Sequence, residues 1–157
     1  MQFRLSAYEI VITEGVTVSA GMPFDRNAPF ELPTVLVMDD EPFVRQAARR
    51  FLRGSGYGCI EADSVDAALQ ILRNTPVIAA MLDMRLQDGR TGVDVLADLR
   101  RFPEFQEIPV MIVTGSLLSD AETAAIAKHR AFVFFKPEGF STVVNFLDRL
   151  TGRDRSS

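Results

Sequence analysis

At 157 residues the chain is long enough for one domain with a sizeable core and too short for two ordinary ones. With 47% hydrophobic and 24% charged residues it reads as a globular protein, and its net charge of −4 argues against a nucleic-acid binder built on a broad basic face. The single cysteine, Cys59, excludes an internal disulfide and fits a reducing cytoplasm, while no apolar run approaches the roughly 18–20 residues of a membrane helix.

Residues 1–33 differ in character from the remainder of the chain. Tyr8 to Thr13 and Val16 to Ala20 are rich in β-branched residues, and Glu14-Gly15 between them can turn a hairpin; a disordered leader is the alternative reading. Glu9 and Glu14 interrupt this stretch, so it is not a secretory signal. Three prolines between Gly21 and Pro33, with no hydrophobic period, read as a linker.

From Thr34 the pattern becomes regular. Thr34 to Met38 is an apolar strand that ends in Asp39-Asp40-Glu41, and Pro42 suits the first position of a helix with Val44, Ala47, Ala48, Phe51 and Leu52 at helical spacing. A short strand follows over Tyr57 to Glu61, and Ser64 can cap a helix with Val65, Ala68, Leu69 and Leu72 inward. Val77 to Asp83 is a third strand, closed by a polar turn at Gln87 to Gly92 and a helix carrying Val93, Leu96 and Leu99. Pro109 to Thr114 gives the fourth strand, and Ser119-Asp-Ala-Glu122 matches a capping box for the helix behind it. Ala131 to Phe135 gives the fifth, ending in Lys136-Pro137, before a last helix marked by Val143, Val144, Leu147 and Leu150. Strands alternating with helices predict an α/β protein: a five-stranded parallel sheet, doubly wound, of order 2-1-3-4-5. The expected divisions are an N-terminal arm over 1–33, the α/β domain over 34–151 and a polar tail over 152–157.

The strand ends carry the chemistry. In that order, Asp39 and Asp40, Asp83, Thr114 and Lys136 all arrive at one crevice above the carboxyl edge of the sheet. Two or three carboxylates so close repel one another, and a hard divalent cation such as Mg²⁺ relieves that with carboxylate, water and phosphate oxygens. Asp40 and Asp83 are candidate direct ligands, with Asp39 acting directly or through water. An ammonium from Lys136 and a hydroxyl from Thr114 complete a site suited to receive a phosphoryl group, a transfer that depends on positioning and charge neutralisation.

The pieces Val35-Leu-Val-Met-Asp-Asp-Glu41, Met81-Leu-Asp83, Val110-Met-Ile-Val-Thr114 and Phe135-Lys-Pro137 resemble the receiver domains of two-component response regulators. That resemblance implies the flavodoxin-like (βα)5 sandwich over residues 34–150. It also implies Asp83 as phosphoacceptor, Asp39 and Asp40 with Asp83 as the Mg²⁺ site, Lys136 as charge partner and Thr114 as the hydroxyl that senses the phosphate. The Lys136-Pro137 bond resembles the cis bond often found there. The implied donor is a histidine kinase or a histidine phosphotransfer protein. With nothing beyond Leu150 to carry an output domain, output through contacts with a downstream protein is expected, and a shuttle role in a phosphorelay fits equally. The chain is then a cytoplasmic switch rather than an enzyme, with at most self-phosphorylation and autodephosphorylation, no nucleic-acid or membrane partner, and an oligomeric state left open.

Val133 departs from the family, which carries an aromatic three residues before the lysine, so the resemblance does not carry over an aromatic coupled to Thr114. Arg85, two residues beyond Asp83, is expected to influence phosphoryl lifetime. His129 reads as a helix-end residue whose partial charge suits the dipole, Phe132, Phe134 and Phe135 as packing, and Arg45, Arg49, Arg50 and Arg53 as a solvated face or a docking patch for an acidic partner. Two rival readings stand beside the receiver. One is a phosphorylation-independent binding module on the same fold. The other is a small Mg²⁺-dependent aspartyl phosphatase, disfavoured because Asp83 is not part of an Asp-x-Asp pair.

Overall fold

Strands made of unbroken apolar runs have no polar face to offer water, so they belong in the middle of a sheet covered on both sides. The computed structural model of the chain describes residues 2–5, 8–11, 19–21, 32–86, 89–136 and 139–153. Within them lie strands β1 (Gln2–Leu5), β2 (Tyr8–Val11), β3 (Ser19–Gly21), β4 (Thr34–Met38), β5 (Gly58–Ala62), β6 (Ala79–Asp83), β7 (Val110–Thr114) and β8 (Phe132–Phe135). The helices are α1 (Pro42–Gly54), α2 (Val65–Asn74), α3 (Gly92–Arg100), α4 (Asp120–Lys128) and α5 (Gly139–Thr151), with a 3₁₀ turn at Pro103–Phe105.

The main sheet has the order β5-β4-β6-β7-β8 and is parallel throughout. Counted from Thr34 this is 2-1-3-4-5, as the alternation of elements predicts. Val35 to Met38 and Val110 to Thr114 are entirely buried, which is the burial that β-branched and apolar runs require in a central strand. Right-handed crossovers send α1 to one face and α2, α3 and α4 to the other, and α5 returns to pack on α1. Because the chain moves outward in both directions from β4, the crevice between the β4 and β6 tips opens at their carboxyl ends.

The helix starts are set by local chemistry. Ser64 accepts the Ala67 N–H at 3.2 Å, and both halves of the Ser119–Glu122 capping box form. Thr91 and Asp94 make a second box. At α1 the N-cap Glu41 makes no side-chain cap bond, and Pro42 opens the helix.

An antiparallel pairing of β2 with β3 stands where the hairpin was expected, with Ile10 opposite Ala20; β1, which pairs with β2, was not expected. The Glu14-Gly15 turn, the linker over 22–31, the Lys136–Pro137 bond and residues 154–157 of the tail lie outside the described residues.

Two polar anchors hold the ends of elements together. Tyr57, fully buried, donates its hydroxyl to Asp148 Oδ1 at 2.6 Å and lies 3.0 Å from Thr151 Oγ1, while the Arg153 guanidinium covers its ring. Burial, followed by the Asp148 contact, pushes the phenol up to about 12. Tyr57→Phe removes this donor from a buried carboxylate, and an unfolding titration in urea is expected to show a loss of about 2 kcal/mol. Arg100 donates to the carbonyls of His129, Phe105 and Ile108, joining the ends of α3 and α4; burial pulls it down to about 10, so it stays charged. His129 caps α4, and burial, Lys128 and Arg100 lower its pKa, which disfavours the cation at this helix end.

The aromatic run of β8 corrects the packing expectation. Phe134 is buried, but Phe132 is 40% and Phe135 54% exposed, because β8 is an edge strand with a neighbour on one side only. Phe132 and Phe134 contact Phe146 of α5. Val133 points to the opposite face, as period-two alternation demands.

Candidate functional site

Asp83 is the last residue of β6, and the next backbone N–H, that of Met84, donates to the Val113 carbonyl of β7 at 3.2 Å. The strand tip is held from below by α3. Gly92 N–H donates to the Met84 carbonyl, and a Cβ at Gly92 would lie 2.6 Å from the Asp83 carbonyl oxygen and 3.2 Å from Ile112 Cδ1. No side chain fits there. Gly92→Ala must therefore displace the tip of β6 or the start of α3, and thermal or urea unfolding is expected to show a cost of about 2 kcal/mol.

Asp39 follows β4, the strand next to β6, and is 4% exposed. Its Oδ1 accepts the Glu41 N–H at 2.8 Å, and its own carbonyl accepts Arg45 Nη1 at 2.6 Å. Arg45 and Arg49 also meet Glu61 at the end of β5. This half of the α1 basic row is thus tied down beside the site, and Arg45 is a positioning residue for Asp39 that the helical pattern alone did not reveal.

The carboxylates of Asp39, Asp40 and Asp83 place one oxygen each within 4.8 Å of one another. Lys136, just past β8, puts Nζ 3.6 Å from Asp83 Oδ1 and 3.9 Å from Asp39 Oδ2. Burial raises the Asp39 carboxyl to about 6; the Glu41 N–H opposes this, Asp83 adds to it, Lys136 opposes it and Asp40 adds to it. Asp83 is also raised, first by burial, against the pull of Lys136 and the Met84 N–H. Three acids facing one ammonium leave an excess of negative charge in a half-dry crevice. An all-oxygen donor set without sulfur or imidazole fits a hard divalent cation. A cavity of about 20 Å³ lined by Asp39, Asp83, Lys136, Val44 and Phe140 is of the size of a single water or ion rather than an organic substrate.

Thr114 closes β7, and its side chain is buried. Its hydroxyl is engaged with the loop toward α4: Oγ1 lies 3.2 Å from the Ser116 carbonyl and accepts the Ser116 N–H at 3.2 Å. The Lys136 N–H donates to the Thr114 carbonyl at 2.8 Å, which fixes the spacing of these two contributors. The five residues singled out from the strand ends therefore lie along one edge, four of them in the charged cluster and Thr114 beside it. Arg85 projects toward α4 and pairs with Glu122, a partner 37 residues away that no local pattern signals.

Comparison with known proteins agrees with this arrangement. The family model described as the response regulator receiver domain matches residues 35–148. The transcriptional regulatory protein KdpE of Mycobacterium tuberculosis is 33% identical over 116 residues, covering 74% of this chain and 48% of its own length. The transcriptional regulatory protein BaeR of Escherichia coli is 30% identical over 96 residues, covering 61% of this chain and 37% of its own. The chain thus spans less than half the length of these two curated relatives. Among solved structures, a putative response regulator from Chloroflexus aurantiacus is 26% identical with a TM-score of 0.66, over 78% of this chain and all of that one. The chemotaxis protein CheY4 of Vibrio cholerae, 21% identical over 76% of this chain and 99% of its own, shares the fold with a TM-score of 0.68. Among the described residues no helix is long and apolar enough to cross a membrane. The family match, covering the whole α/β unit and every strand that contributes to the charged edge, places this chain in the receiver-domain family of two-component response regulators.

Proposed function

We propose that this receiver takes a phosphoryl group onto Asp83 from the phosphohistidine of a histidine kinase or histidine phosphotransfer protein, and signals by protein contact. The observation that carries the reading is the cluster itself: three carboxylates within 4.8 Å, with Lys136 reaching two of them. Receiver domains are regulatory phosphoacceptor modules that bind Mg²⁺ at an acidic pocket. Here Asp39, Asp40 and Asp83 would hold the ion, which when bound supplies a Lewis acid for the phosphoryl oxygens.

An oxygen of Asp83 forms the bond to phosphorus as the bond to the donor's imidazole nitrogen breaks. Lys136 neutralises charge on the transferred group, a role that needs a point charge with free rotation. Thr114 exchanges its Ser116 contact for a phosphoryl oxygen, which pulls on the loop ahead of α4. Hydrolysis of the acyl phosphate resets the domain. The exposed Phe132 and Phe135 on the β8 edge support output by protein contact. The division into an arm over 1–33, a receiver over 34–151 and a tail over 152–157 belongs to the same proposal.

Incubation with acetyl phosphate and Mg²⁺ tests the reading. A retarded band on a phosphate-affinity gel is expected for the wild type and not for Asp83→Asn. Folded wild-type protein that never shifts would favour the phosphorylation-independent binding module, a reading motivated by Val133. The lone Asp83, outside any Asp-x-Asp pair, weighs against the phosphatase alternative.

A further inference from the structure

The first turn of α4 is tied to the residue two positions past Asp83 through one carboxylate. Glu122 Oε1 accepts Arg85 Nη1 at 2.6 Å, and Oε2 accepts Arg85 Nη2 at 3.3 Å together with the Ser119 N–H at 2.8 Å. In return Ser119 Oγ accepts the Glu122 N–H at 3.1 Å. The capping box that starts α4 and the ion pair that reaches the phosphoacceptor loop thus share the same side chain.

The other end of this link is firmly rooted. Arg85 pairs across the loop with Thr91 in an isolated β-bridge, and the neighbouring Met84 carbonyl accepts the Gly92 N–H at 3.0 Å. Backbone position is therefore fixed while the side chain is half-exposed and turned toward Glu122. An exposed ion pair of this kind adds little net stability, so it is readily exchanged for a better partner. Phosphorylation supplies one: Asp83 gains charge and three strong acceptor oxygens, and a guanidinium prefers such a group for its planar fork of donors.

We propose that Arg85 is a positioning residue that carries the state of Asp83 to α4. In the unphosphorylated chain it holds Glu122. In the phosphorylated chain it turns to the phosphoryl oxygens and leaves Glu122 with Ser119 alone, so that the first turn of α4 loosens. This rests on the phosphoacceptor reading of Asp83. It offers a route to α4 in a chain where Val133 stands in place of the aromatic side chain.

Hydrogen–deuterium exchange of the segment 117–126, followed with intact-mass measurement of the phosphoryl adduct, tests the link. In the wild type, acetyl phosphate with Mg²⁺ is expected to speed exchange of this segment by about two- to threefold, the size of a lost exposed ion pair. In Arg85→Ala the segment should exchange fast in both states, with the adduct still forming. Glu122→Gln keeps an acceptor for the Ser119 N–H but removes the charge that holds Arg85, so the unphosphorylated segment should already exchange at the faster rate and respond little to the phosphoryl group. A wild-type response preserved in Arg85→Ala overturns the link while leaving Asp83 as acceptor. Absence of any adduct on the wild type overturns the acceptor reading and the link together.

Discussion

Asp39→Asn is expected to stabilise the cation-free protein at neutral pH and to abolish most of its stabilisation by Mg²⁺. In the folded chain the Asp39 carboxyl titrates near 6 instead of 3.8, chiefly because it is buried. A folded pKa above the unfolded one means that the neutral form is the one the fold favours. Below about pH 4 both states hold the proton and the full benefit is present. As pH rises the unfolded chain releases its proton first, and the benefit is lost progressively until the folded group has also titrated, at about pH 6. A shift of roughly two units corresponds to about 3 kcal/mol withheld from the cation-free protein at pH 7. Asp83 pushes in the same direction.

Asparagine keeps an oxygen to accept the Glu41 N–H, so the backbone contact at 2.8 Å survives while the charge does not. Urea titrations in chelator at pH 4 and pH 7 are the check. The gain from Asp39→Asn should be of the order of 2 kcal/mol at pH 7 and small at pH 4. Adding Mg²⁺ should then raise the stability of the wild type by mass action on the folded state and leave the variant nearly unmoved. A variant less stable than wild type in chelator at pH 7 would mean that Lys136 already compensates the cluster without a cation.

Lys136→Ala is expected to slow phosphorylation of Asp83 by acetyl phosphate by a factor of the order of 10² while leaving the fold intact. Its ammonium is the cation within 4 Å of both Asp39 and Asp83 among the described residues, and its side chain is 37% exposed, so little packing is lost. Two effects act together. The charge that develops on the phosphoryl oxygens loses a fixed partner. Asp83, which Lys136 now holds toward its ionised form, is left further raised and is less often a carboxylate. Rates from intact-mass time courses at saturating Mg²⁺ separate this from a loss of affinity for the ion. A change smaller than about threefold would remove Lys136 from the transfer step, since electrostatic contacts of this type are worth far more.

The architecture was legible because burial and strand type coincide in this chain. Val35 to Met38 and Val110 to Val113 are apolar without a break, which only a strand covered on both faces tolerates, and each ends at a polar residue where the sheet ends. The site followed from the order of strands, since Asp39, Asp83, Thr114 and Lys136 close consecutive members of β4-β6-β7-β8. What escaped was set by contacts between distant segments. The Arg85–Glu122 pair depends on the paths of two loops, and Arg45 was visible only as part of a basic row until the fold brought it to the Asp39 carbonyl. Gly92 looked like one glycine of a polar turn, and its need for a bare Cα arises from the approach of α3 to the Asp83 carbonyl. Two of the three aromatic residues of β8 were misjudged for the same reason: edge position, which exposes Phe132 and Phe135 while Phe134 is buried as expected, is a property of the sheet and not of the strand.

The most direct measurement of Asp83 as acceptor is chemical trapping of the acyl phosphate. The chain is phosphorylated with acetyl phosphate and Mg²⁺, reduced with borohydride and digested, and the peptides are sequenced by mass spectrometry. An aspartyl phosphate is reduced to homoserine, and that residue is expected at position 83, with Asp39 and Asp40 unchanged. Aspartate recovered intact at position 83, or homoserine found at position 39 or 40 instead, would contradict it.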